Sequence, residues 1–101
     1  MDKRYNALSL EEQLALRRQA VEDVLAHPEW TLAQSVRHMR RTMRLTTGEL
    51  AQLAGLSART VQNIEREVTD GTVGSMNGLL GLMGLKLGVT RRESESDRPG
   101  S

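Results

Sequence analysis

At 101 residues, 27% of them charged and with a formal net charge of +1, the chain has room for one small domain with extensions and a modest core. It contains no cysteine, which excludes a disulfide framework and a thiolate metal site and fits a reducing cytoplasm. With no Phe, one Tyr and one Trp, it lacks the stacking platforms that single-stranded nucleic acid needs.

No apolar run approaches the roughly 18 residues of a membrane span, and the opening MDKRYNALSL lacks the apolar centre of a signal peptide. A soluble, cytoplasmic protein with no membrane partner and no cofactor is the expectation. The small net charge hides an uneven distribution. Residues 1–30 carry four cations against six anions, whereas residues 31–67 carry Arg37, Arg40, Arg41, Arg44, Arg59 and Arg66 against Glu49, Glu65 and Glu67. Every cation of that middle segment is arginine, the residue suited to bidentate contact with phosphate and guanine. Duplex DNA is therefore the better nucleic-acid partner.

Residues 1–8 are polar and expected to fray. Ser9 and Glu12 are spaced as a capping box, opening a helix whose apolar stripe is Leu10, Leu14, Val21, Val24 and Leu25. Arg17 and Arg18 interrupt the stripe, with stems able to cover apolar surface. The helix should end before Pro28. It serves either to pack on the domain's own core or to contact a dimer mate or other partner. Thr31 and Gln34 make a second capping box, and Leu32, Val36, Met39 and Met43 follow at helical spacing. Trp30 is expected to fill the seam between these two helices. The only histidines, His27 and His38, have no carboxylate at a spacing that suggests a dyad, and His38 is expected to be exposed. Nothing resembles a phosphate loop or a metal set, so no enzyme is expected.

From Thr47 to Ile64 the chain reads TGELAQLAGLSARTVQNI. Leu50, Leu53 and Ala54 form one face of a short helix, and Val61 and Ile64 one face of a second. Ala51, with no atoms beyond Cβ, permits a close crossing. Gly55 supplies the left-handed residue that stops the first helix, Leu56 plugs the corner and Ser57 caps the next helix. This pattern is a helix-turn-helix. On a second helix starting near Ala58, the outward positions are Ala58, Arg59, Gln62 and Asn63. Arg59 can take both acceptors of a guanine, Gln62 or Asn63 can pair with adenine, and Ala58 can touch a thymine methyl. The competing readings are a solvated face for Gln62 and Asn63 and a phosphate contact for Arg59. Thr46 and Thr47, with the free amides at the start of the first helix, are placed to meet phosphates, with Thr60 adding a hydroxyl.

Asp70-Gly71 marks a turn, after which Val73, Met76, Leu79, Leu80 and Met83 continue at helical spacing to about Gly84. Gly78 and Gly81 fall inside this helix, each costing about 1 kcal/mol against alanine. Either a dimer partner's backbone approaches there or the helix is loose. Leu85 to Val89 alternates like a short strand, which would need a partner such as its two-fold mate. Residues 90–101 have no apolar residue and are expected to be disordered.

Across residues of about 32 to 89, the sequence resembles the lambda-repressor-like (XRE/Cro) family of DNA-binding domains. The resemblance rests on Arg40, Leu45-Thr46, Glu49-Leu50-Ala51, Gly55-Leu56-Ser57, Thr60-Val61 and Ile64-Glu65. It implies base reading by Ala58, Arg59, Gln62 and Asn63, phosphate binding by Arg41, Arg44, Thr46, Thr47 and Thr60, and a structural salt bridge between Arg40 and Glu65. At Thr47 the family commonly has a longer glutamine, so a shorter reach is expected here. The end of the chain departs from the phage repressors and looks closer to the HipB- and HigA-type antitoxin branch. The fold expected is all-α. It is a bundle of four to five helices with an N-terminal extension at 1–30, the DNA-binding domain at 31–89, a dimerisation strand and a polar tail at 90–101. A homodimeric, sequence-specific regulator of transcription, most simply a repressor, is the function implied. The alternatives are an antitoxin that represses its own operon and neutralises a toxin, and a protein-interaction module that has lost DNA binding.

Overall fold

Ser9, Thr31, Thr46, Ser57 and Thr72 each accept, through a side-chain oxygen, the amide three residues further on, and each opens a helix. At Ser9, Thr31 and Thr46 the third residue returns the bond with its own side chain, completing the capping box. The computed structural model describes residues 8–92. Among these the helices are α1 (Leu10–Ala26), α2 (Leu32–Thr42), α3 (Thr47–Ala54), α4 (Ala58–Glu65) and α5 (Val73–Gly81), and there is no strand. The expectations for residues 1–7 and 93–101 lie outside the described residues.

Four of the helices close in the same way. After α2, α3, α4 and α5 one residue takes a left-handed conformation: Arg44 (φ 60°), Gly55 (φ 72°), Glu67 (φ 60°) and Gly84 (φ 74°). The following amide then reaches back five residues, Leu45 to Arg40, Leu56 to Ala51, Val68 to Asn63 and Leu85 to Leu80. This is the Schellman closure, which satisfies carbonyls the helix end would leave orphaned. Gly55 was legible as such a stop. Arg44 and Glu67 were not, because a side chain in this region carries a steric cost.

The core is a single cluster. Val36 and Met39 of α2, Leu50 and Ala51 of α3, Val61 and Ile64 of α4, and Met76, Leu79 and Met83 of α5 and its exit are buried together with Ala20. In three helices one residue of the expected apolar face lies outside the core. Leu53, Leu32 and Val73 stand 59%, 41% and 67% exposed, at the rim of the faces to which they were assigned. In α3 the inward set is Leu50, Ala51 and the half-buried Ala54.

α1 departs furthest from expectation. Leu10, Leu14 and Leu25 of its apolar stripe are 71%, 48% and 62% exposed, and the one fully enclosed side chain is Ala20. The helix lies along α2 on the face centred on Ala20, because a methyl lets the two backbones approach where leucines would hold them apart. Polar contacts complete the attachment: Arg17 Nε donates to the Leu82 carbonyl at 2.9 Å, and Asp23 Oδ2 lies 2.7 Å from His38 Nε2. Trp30 sits at the α1–α2 seam as expected, stacked on His27 at 4.2 Å and tilted against His38 at 4.9 Å.

The expected strand at Leu85–Val89 is not formed. Leu85 and Leu87 pack on this chain's own core, and the Leu87 amide donates to Asn77 Oδ1 at 2.8 Å, so the alternating residues fold back along α5. The expected close approach at the α5 glycines also has an internal cause at one position. A Cβ on Gly78 would sit 3.5 Å from the Ala54 carbonyl of α3.

Candidate nucleic-acid interface

α3 and α4 meet at the Gly55-Leu56-Ser57 corner. The left-handed Gly55 turns the chain, Leu56 is half-buried against the core, and Ser57 Oγ accepts the Thr60 amide at 3.1 Å. With Val61, Ile64 and Glu65 buried, the opposite face of α4 carries the exposed Ala58, Arg59 and Gln62, and Asn63 lies half-buried at its edge. Of the four expected base readers, three are open and the fourth is partly covered. The Asn63 carbonyl accepts the Val68 amide that closes the helix.

Thr46 and Thr47 stand at the start of α3, both half-buried. The Thr46 hydroxyl accepts the Glu49 amide at 3.0 Å and its own amide donates to Glu49 Oε1 at 2.7 Å, so the backbone groups left for an anion are the next amides of the first turn. Thr60 Oγ1 lies 2.8 Å from Ser57 Oγ. When Ser57 donates across this contact, the Thr60 hydroxyl proton is left for an outside acceptor. Arg44 flanks Thr46 and lines a cleft of about 250 Å³ with Leu8, Gln13 and Leu53.

The arginines of the middle segment divide into two groups. Arg40 donates from Nε and Nη2 to the two carboxylate oxygens of Glu65, at 2.7 and 3.0 Å. Arg37, three residues earlier and on the same side of α2, donates to the Glu65 carbonyl and lies 4.0 Å from Glu67. These two are occupied behind α4. Arg41, Arg44, Arg59 and Arg66 are exposed and make no ion pair among the described residues. Residues 31–67 thus contribute four open guanidinium groups to the surface, fewer than the segment's six. Arg37 was missed in the sequence, although its spacing from Arg40 places both on one helix face.

The histidines also differ from expectation. His38 is half-buried and has Asp23 as its partner, fifteen positions away; His27 Nδ1 lies 2.7 Å from Glu29 Oε2. Hydrogen bonding from the His38 ring, and next from Gln19, holds the Asp23 carboxyl below its ordinary range. The His27 ring does the same for Glu29. Among the described residues no helix is long and apolar enough to cross a membrane.

No family model matches the chain, and neither the curated proteins nor the solved structures yield a match.

Proposed function

We propose that this chain is a sequence-specific double-stranded DNA-binding regulator of transcription that acts as a homodimer, most simply as a repressor covering a promoter. The observation that carries the reading is α4: a short helix capped by Ser57, buried on Val61 and Ile64, and open on Ala58, Arg59 and Gln62. Such a helix enters the major groove with its first turns toward base edges. Arg59 takes the two acceptors of a guanine, Gln62 and Asn63 address adenine, and Ala58 meets a thymine methyl, each bidentate contact being worth roughly 1–3 kcal/mol of discrimination. Arg41, Arg44, the α3 amides beside Thr46 and Thr47, and Thr60 hold phosphates. Two copies across a pseudo-palindrome, about one helical turn apart, supply the affinity that one half-site lacks.

The test is a fluorescence-anisotropy titration of a duplex carrying the region upstream of the protein's own coding sequence, beside a shuffled duplex, at two salt concentrations. A preference of about 10³ that collapses in Arg59→Ala supports the reading. Equal, strongly salt-dependent binding to both duplexes reduces it to a phosphate-binding surface.

A second reading has its own observation. Leu10, Leu14 and Leu25 of α1 are largely exposed, a face suited to another protein. This is what an antitoxin that binds a toxin, or an interaction module without DNA binding, would present. Co-purification with a small protein from the adjacent reading frame favours it, and a clean homodimer weighs against it.

A further inference from the structure

α1 lies along α2 with few fully buried side chains for a helix of 17 residues. It buries one side chain fully, Ala20, and turns three leucines outward. Its two side-chain clasps differ in kind. Arg17 Nε donates to the Leu82 carbonyl, and a guanidinium keeps its charge at every physiological pH. The other clasp is His38 Nε2 against Asp23 Oδ2, and an imidazole changes charge in that range.

The groups around His38 can be named from each side. From α1 come Asp23 and Gln19, whose Nε2 donates to the second Asp23 oxygen at 2.7 Å. From α2 itself comes Thr42, with Oγ1 3.2 Å from His38 Nε2, and the exposed Arg41 follows three residues after His38. From the connection come Trp30, ring to ring with His38, and behind it His27, which is paired with Glu29. Asp23 is the carboxylate in contact with His38, and it crosses from α1 to α2.

We propose that His38 and Asp23 form a proton-operated clasp that tightens α1 onto α2 when the imidazole gains its second ring proton, with Trp30 packed against the same ring. Neutral His38 offers Asp23 a single N–H bond, and only in the tautomer that carries the proton on Nε2. The cationic ring always carries that proton and adds an ion pair across the seam. The clasp therefore strengthens when the ring is protonated. It fails only in strong acid, where Asp23 itself is protonated. Arg17 holds the middle of α1 throughout, so the pH-dependent opening is concentrated in the C-terminal half of the helix.

The test is amide hydrogen exchange on the full chain at about pH 5 and about pH 8, below and above the imidazole range. Protection factors for residues 19–25 are divided by those of α3 and α4, which cancels any change in global stability. In the wild type this ratio is expected to fall by about threefold on going to the higher pH, the size of a part-exposed ion pair. His38→Gln, which retains an N–H donor but cannot charge, and Asp23→Asn should each abolish the pH dependence, whereas His27→Gln should keep it. A wild-type ratio that does not change with pH, or a His38→Gln variant that retains the change, overturns the proposal.

Discussion

Glu65 is held by Arg40 through two parallel bonds, Nε to Oε2 at 2.7 Å and Nη2 to Oε1 at 3.0 Å, while Arg40 Nη1 reaches the Leu45 carbonyl at 3.3 Å. The pair therefore joins the end of α4 to both α2 and the turn that follows α2. The Glu65 side chain is 8% exposed and that of Arg40 19%, so neither can be left alone without a buried charge going unpaired.

Arg40→Ala is expected to destabilise the fold by about 3 kcal/mol, read as a shift in the urea midpoint. Replacing both residues by apolar ones of similar size should recover most of that loss. A single-variant cost below about 1 kcal/mol would instead place the pair among ordinary surface ion pairs.

Arg44 and Glu67 occupy left-handed positions that favour glycine. Arg44→Gly and Glu67→Gly are each expected to raise stability by about 1 kcal/mol, seen as a thermal midpoint several degrees higher. If Arg44 holds a phosphate, the first variant should also weaken duplex binding by a similar factor on every sequence and lower the salt slope by about one.

Gly81, the last residue of α5, has no heavy atom within 4 Å of the place a Cβ would take, and its φ is not positive. Gly81→Ala should stabilise the chain by about 0.5–1 kcal/mol with no change in self-association. A self-association that the wild type shows by sedimentation and that variant lacks would instead show that a partner's backbone approaches there.

The depressed Asp23 carboxyl has a pH signature. A group whose folded value lies below its unfolded one contributes stability above the unfolded value and loses it as pH falls through the folded one. The difference in thermal midpoint between the wild type and Asp23→Asn should therefore be present at about pH 5 and disappear in acid below the ordinary carboxylate range. A difference that persists there would mean Asp23 acts by shape and not by charge.

Helix starts were the most legible part of the sequence, because a cap is a local event: Ser9 with Glu12 and Thr31 with Gln34 announce themselves three residues apart. The Gly55 corner and the buried pair Val61 and Ile64 were readable for the same reason. Facing was legible only where large apolar residues mark the core. In α1 periodicity points to the leucines, yet the crossing with α2 is set by Ala20, whose small size is what the seam needs. The Asp23–His38 contact and the return of Leu85 and Leu87 onto the core depend on residues ten or more positions apart, which no short spacing encodes. Arg44 and Glu67 ran against propensity, and only the backbone reveals them.

The principal neighbour of α1 is α2 and that of α3 is α4, the next helix along the chain in both cases. A bundle wired so locally has little loop-closure entropy to overcome and belongs with the fast folders, on the microsecond-to-millisecond scale. It also has an order of assembly built in. On a ribosome delivering the chain from its N-terminus, α1 and α2 can pair before α3 exists, but Arg40 has no carboxylate to receive it until Glu65 has emerged, twenty-five residues later. The helix-turn-helix is thus clamped to α2 only when that one glutamate arrives, and its core closes only when Met76, Leu79 and Met83 have followed.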